Sequence, residues 1–212
     1  MENKSKVIIV ANAKGGSGKS TLATNISGYF GMCNYSVVLA DADPQQSSRM
    51  WLSYRPESVS TIMTWDLEPD SVFTARSTSD ITHVVIDTPA GLNGWRLREV
   101  ISRADKVVVP ILPSMFDIQA GHNYLINLKK FCRESKTMIA VVGNRVNAQT
   151  LSAYKLKSFL QSLNVPVLTY LRDSQNYLHL ATHGLSIFDV TPSKVEKDLE
   201  QWRPICKWID AD

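Results

Sequence analysis

The chain has no long apolar run. Nothing in its 212 residues approaches the roughly 20 consecutive apolar positions that a membrane-spanning helix needs. The segment Met1–Lys6 is short and polar, and the run behind it, Val7–Ala11, is too brief for a secretory signal core. A cytoplasmic protein is the expectation. Cysteine is scarce too, with Cys33, Cys132 and Cys206 far apart and no C-x-x-C spacing. That argues against a zinc site and against a disulfide framework, and leaves three small buried hydrophobes in a reducing compartment. Charge excess is also missing. With 23 basic and 20 acidic side chains the net charge is +3, and no basic tail stands out as a dedicated polyanion-binding arm. There is no internal repeat, low-complexity tract or linker, so residues 1–212 are expected to form one domain.

What is present is an alternation. Val7–Ala11 is a β-branched run of the kind found in strands buried on both faces, and similar runs recur at Ser36–Ala40, His83–Ile86, Lys106–Ile111, Met138–Val142 and, more weakly, Pro166–Tyr170. Helical spacing fills Leu22–Phe30, Gln119–Cys132 and Leu151–Leu163. The pattern predicts an α/β protein, a three-layer, mostly parallel twisted sheet with helices on both faces. Residues 45–80, where Trp51, Trp65, Pro56 and Pro69 interrupt any period, give no clear element. Ser193 with Glu196 suggests a capping box opening a C-terminal helix through Ile209, which Pro204 should kink.

Directly after the first strand comes Lys14-Gly15-Gly16-Ser17-Gly18-Lys19-Ser20-Thr21. Ala13 stands where the usual P-loop pattern has its first glycine, so the strict consensus is not met. The physics of phosphate binding still is. Glycines let backbone N–H groups turn inward as an anion nest, and the helix that follows offers its N-terminus. Gly15, Gly16, Ser17 and Gly18 would form the cradle. Lys19 would reach the β- and γ-phosphates of ATP, Ser20 would ligate Mg²⁺, and Thr21 would meet the α-phosphate. Two further strands end in acids. Asp41 and Asp43 follow Val37–Ala40 at i and i+2, so both side chains leave one face of an extended chain. Asp87 follows Val84–Ile86 and precedes Thr88-Pro89-Ala90-Gly91.

The string K-G-G-x-G-K-S-T resembles the signature of the ParA/MinD family of deviant Walker A P-loop ATPases, and the likeness extends along the chain. Asp41-Ala42-Asp43-Pro44-Gln45 resembles the family's D-x-D-P-Q segment, and Val84–Asp87 its Walker B strand. The resemblance implies that Lys14 crosses an ATP-sandwiched homodimer to the partner's phosphates. It implies that Asp43 orients the attacking water, and that Asp41 and Asp87 serve the Mg²⁺ shell through water. Asn144 would read the adenine edge, and Pro113 would pack on the adenosine or serve as a plain turn proline. Ser114–Ala120, with Asp117 and Gln119, would form part of the dimer face.

The lack of an N-terminal helix-turn-helix domain resembles the small ParA subtype. That subtype implies ATP-driven dimerisation, nonspecific DNA binding on the nucleoid, and a ParB-like or other cargo adaptor that stimulates hydrolysis. The cargo would be a plasmid, a chromosome or a protein body. Candidate DNA contacts are Lys155, Lys157, Arg172, Lys194, Lys197, Arg203 and Lys207, though basic residues barely outnumber acidic ones from Arg145 onward. A MinD-like membrane ATPase needs a basic amphipathic C-terminal helix, and this chain ends in Trp208-Ile209-Asp210-Ala211-Asp212. An iron–sulfur reductase would need paired cysteines at a dimer face. A metabolic P-loop enzyme is the remaining alternative.

Overall fold

β-Branched residues crowd the helical backbone but pack well on a pleated surface, so the valine- and isoleucine-rich runs become strands. The computed structural model describes residues 5–65 and 80–211. Within them, β1 (Lys6–Val10), β2 (Val37–Asp41), β3 (His83–Asp87), β4 (Lys106–Ile111), β5 (Met138–Gly143) and β6 (Val167–Tyr170) form one sheet. Its order is β2-β3-β1-β4-β5-β6, and every pairing is parallel.

Along β1, Val7 and Ile9 join one apolar cluster while Ile8 and Val10 join the other; β2 divides the same way between Val38 with Ala40 and Val37 with Leu39. Both faces are therefore covered, which is why the strands read as unbroken apolar runs rather than alternating ones. The Ile8 face packs against α1 (Lys19–Met32), α2 (Ser47–Ser53), α6 (Gln175–Ala181) and α7 (Pro192–Asp210). The Ile9 face packs against α3 (Gly94–Ile101), α4 (Met115–Ser135) and α5 (Leu151–Ser162). This is the three-layer sheet that the sequence pattern predicts.

Several boundaries differ from expectation. The irregular region contains α2, whose Trp51 is buried and donates its indole N–H to the Leu185 carbonyl at 3.2 Å. Pro69 lies outside the described residues. The short helices α3 and α6 carry too few turns to show a period. In α7 the N-cap is Thr191 rather than Ser193, no side chain caps it, and the break falls at Val195 (φ −133°, ψ 22°) rather than at Pro204. Pro204 is tolerated because it stands on the exposed side of the helix, where water can reach the carbonyl its missing N–H leaves behind. All three cysteines are free; Cys132 is buried, while Cys33 and Cys206 are half-buried.

The end of α7 is clamped from the sheet. Lys106 is buried and donates to the carbonyls of Trp208 (2.6 Å), Ile209 (3.2 Å) and Ala211, and Lys6 donates to Asp210 (2.9 Å) and Ala211 (3.1 Å). Two ammonium groups thereby satisfy carbonyls that a helix C-terminus leaves unpaired.

Candidate functional site

The carboxyl ends of β1, β2, β3 and β5 converge on one edge of the sheet, where open α/β folds place their ligands. After β1 the chain must turn sharply into α1. Gly16 (φ 74°) and Gly18 (φ 96°) make that turn in the left-handed region, and Gly18 is the N-cap, with no side chain closing the first helical N–H groups. A Cβ on Gly18 would lie 2.0 Å from Nδ2 of Asn144. The turn is held from all sides. Asn12 accepts from the Lys14 amide at 3.0 Å while donating to the Pro110 carbonyl at 2.6 Å, Asn144 Nδ2 donates to the Ser17 carbonyl at 2.9 Å, and the Gly91 amide donates to the Ala13 carbonyl at 2.7 Å. Lys19 reaches back over the loop to the Lys14 carbonyl at 3.3 Å. Burial pushes its pKa below the ordinary lysine value, and the carboxylates of Asp87 and Asp43 oppose that shift.

Above this nest lies a cleft of about 570 Å³. Its walls include Gly15, Gly16 and Gly18, Lys19 through Thr21, Asp43 and Ser47 after β2, Ala90 after β3, and Arg145 after β5. A second pocket of about 350 Å³ shares Thr21 and Arg145 with it and extends along Asn144 to Asp173, Gln175 and Tyr177. A phosphate chain in the first cleft would leave a base and sugar beside the second.

The acids sit side by side because Asp41 on β2 pairs in register with Asp87 on β3. Asp87 is fully buried; its Oδ2 accepts the Ser48 hydroxyl at 2.6 Å, and its Oδ1 has no hydrogen-bond partner. Burial raises its pKa to about 6, the Ser20 and Ser48 hydroxyls hold it back, Asp41 adds to the rise and Lys19 opposes it. An unmatched carboxylate oxygen beside a second acid, a lysine and the Ser20 hydroxyl suits a hard divalent cation with its water shell. Asp41 is engaged otherwise. Its two oxygens accept the amides of Asp43 and Arg49, each at 3.0 Å, so it pins the segment that carries Asp43. Asp43 lines the cleft and accepts the Gln45 amide at 2.9 Å.

Lys14 does not line its own cleft. Its ammonium lies 2.6 Å from Asp117 Oδ2 on α4. Asn144 stands in the cleft wall, but both ends of its amide are used inside the protein, on the Ser17 carbonyl and the Arg145 amide. It therefore braces the phosphate loop while also lining the second pocket. Pro113 is not among the residues lining either pocket. It lies between β4 and α4, at the carboxyl edge of the sheet. Arg172 is half-exposed and already has an internal partner. Its guanidinium grips buried Asp198 through two bonds, at 2.7 and 2.9 Å, and ties α7 to the sheet. Lys155, Lys194, Lys197, Arg203 and Lys207 are exposed, and Lys157 lies over the Tyr170 ring at 5.4 Å. Lys155 and Lys157 lie on α5 and the others on α7, helices that pack on opposite faces of the sheet.

Sequence reasoning missed Asn12, Ser48 and Arg145. Asn12 carried no signal beyond its place between strand and glycines, and Ser48 falls in the stretch without period.

A parallel sheet that delivers a glycine nest, an open helix N-terminus and two strand-end acids to one cleft defines a P-loop nucleotide-binding protein. Residues 8–187 match the CobQ/CobB/MinD/ParA nucleotide binding domain, and the chain belongs to that family. It is 26% identical over 209 residues to the Maintenance of carboxysome distribution protein A of Gloeobacter kilaueensis, covering 98% of this chain and 95% of the relative. Among solved structures it resembles a putative plasmid partition protein from Borrelia burgdorferi B31 bound to AMPPNP (TM-score 0.72, 17% identity, 97% and 100% of the two chains). It also resembles the septum site-determining protein MinD of Pyrococcus horikoshii OT3 complexed with Mg-ADP (TM-score 0.74, 15% identity, 98% and 96%).

Proposed function

We propose that this chain is a ParA-type ATPase. It binds ATP with Mg²⁺, closes as a homodimer around two nucleotides, binds nonspecific DNA in that state and positions a cargo whose adaptor stimulates hydrolysis. The observation that carries this reading is the division of labour between two lysines on one loop. Lys19 curls over its own glycine nest, while Lys14 points out of its own cleft toward α4. An outward cation on a phosphate loop is placed to meet phosphates that arrive from elsewhere, and a second copy of the chain would supply them. There a fixed cation would stabilise charge spreading over the γ-phosphate in the transition state.

Within each subunit, Gly15–Gly18 and the first turn of α1 hold the phosphates, Ser20 and Asp87 hold the metal, Asp41 fixes Asp43, and Asp43 orients the water. The resemblance to a carboxysome-distribution protein and a plasmid partition protein supports positioning as the purpose. The cargo would be a plasmid, a chromosome or a protein body. A membrane-associated role has less support. The apolar side chains of α7, namely Val195, Trp202, Ile205 and Ile209, are packed in the core, and no helix among the described residues is long and apolar enough to cross a membrane.

Co-sedimentation of the protein with plasmid DNA and with anionic liposomes, each with ATP, ADP or no nucleotide, tests the reading. Retention on DNA with ATP alone is the expected result. Retention on liposomes instead of DNA would overturn it in favour of membrane targeting.

A further inference from the structure

Lys14 and Asp117 are 103 residues apart in sequence, yet they form a close ion pair. The two ends of the pair are unequal. Asp117 is 5% exposed, whereas the Lys14 side chain is 40% exposed. The carboxylate is fixed where it stands. Its Oδ2 accepts the Ser114 hydroxyl as well as the Lys14 ammonium, Ser114 Oγ accepts the Asp117 amide at 3.1 Å in capping α4, and Oδ1 is buried with no hydrogen-bond partner. The Lys14 backbone is equally fixed, since its amide is held by Asn12 and its carbonyl accepts Lys19 Nζ. Only the Lys14 side chain, long and partly exposed, is free to choose a partner. Two ammonium groups thus leave one loop in different directions, Lys19 over the nest and Lys14 onto α4.

We infer that Asp117 is a positioning residue for Lys14. Within one chain it draws the ammonium away from that chain's own phosphate cleft, and it gives the lysine up only to the denser negative charge of a triphosphate held by a second copy. A diphosphate presents less charge and no γ-phosphate, so it competes less well with a buried carboxylate. Asp117 would in this way set the threshold at which nucleotide promotes assembly, and would help ATP and ADP to differ in that respect. The inference rests on the reading that Lys14 serves the partner's phosphates.

Analytical ultracentrifugation of the full chain with Mg²⁺ and AMPPNP tests it. Asp117→Asn should lower the dimer Kd by about tenfold or more, narrow the difference between AMPPNP and ADP, and leave the affinity of the monomer for a fluorescent ADP analogue unchanged. Asp117→Glu, which restores the charge, should stay within about threefold of wild type. In a Lys14→Ala background Asp117→Asn should shift nothing, because the residue acts through the lysine. An unchanged or weakened dimer in Asp117→Asn, or the same tightening without Lys14, overturns the inference.

If Asp117→Asn does not fold, labelling the wild-type chain with an amine-reactive ester still decides. Lys14 should be acylated about tenfold more slowly than exposed Lys155, and equal rates would overturn the pairing. Absence of any wild-type dimer with AMPPNP would instead overturn the dimer reading itself, with the labelling result standing separately.

Discussion

Replacing Asp87 with asparagine should make the nucleotide-free protein more stable and the nucleotide site inoperative. The buried carboxyl titrates near pH 6 in the folded chain against 3.8 when solvated. An acid whose folded pKa is raised binds its proton more tightly when folded, so stability falls as pH climbs from 3.8 to 6 and stays reduced above that window. A gap of about 2.2 units at about 1.4 kcal/mol each gives a penalty of about 3 kcal/mol at pH 7.5, shrinking to about 0.6 kcal/mol at pH 4. Asparagine carries no charge to desolvate and retains an oxygen for the Ser48 hydroxyl. For a chain of this size the change corresponds to a Tm about 6–12 °C higher at pH 7.5. Differential scanning calorimetry in EDTA, on both proteins between pH 4 and pH 8, reads the effect directly. The two Tm values should converge toward the acid end. Adding Mg²⁺ and ATP should raise Tm for wild type and much less for Asp87→Asn. A variant less stable than wild type at pH 7.5, or a difference that ignores pH, would refute the account of Asp87 as a strained metal-facing carboxylate.

Other substitutions probe the remaining roles. Asp43→Ala should bind ATP and Mg²⁺ but hydrolyse little and accumulate as a dimer, measured by size exclusion and phosphate release; a monomer with normal turnover sinks the assignment. Arg172→Glu removes one of the partners of a buried acid and should cost about 1–3 kcal/mol of stability in urea unfolding, whatever it does to DNA. Lys194→Glu, on an exposed side chain, should leave stability within about 0.5 kcal/mol while weakening ATP-dependent DNA binding. That binding should fall with salt at a log–log slope near −0.9 per phosphate contact, and salt-insensitive binding would exclude electrostatic tethering.

How much of this was legible in the sequence depended on how local the cause was. All six strands announced themselves, because a strand covered on both faces writes its burial into consecutive residues. The phosphate loop was legible for a similar reason, since glycines and lysines must follow one another to make a nest. Asp43 and Asp87 could be read from their place at strand ends. What stayed hidden depends on residues distant in sequence. That Asn144 also braces the loop through Ser17, and that Arg172 grips Asp198 of α7, could not be read from either segment. The kink of α7 at Val195 rather than Pro204 is of the same kind, because the packing of the helix decides which side of it faces water. The pairing of Asp117 with Lys14 had no trace in either segment alone.

The position of β1 also fixes an order of events during synthesis. Strand β1, which precedes the other five strands of the sheet in the chain, becomes an interior strand, with Lys6 opposite His83 on one side and Ile8 opposite Lys106 on the other. Until β3 has been made β1 has no ladder on either edge, and until β4 follows it has one on a single edge, so the glycine turn after it hangs at first from an unpaired strand. At about 5–20 residues per second, the nascent chain spends seconds with its phosphate loop translated but unsupported. Asn144, which braces that loop, comes later still. A nucleotide held by the glycine turn therefore depends on segments made later, β3, β4 and Asn144, that support the turn.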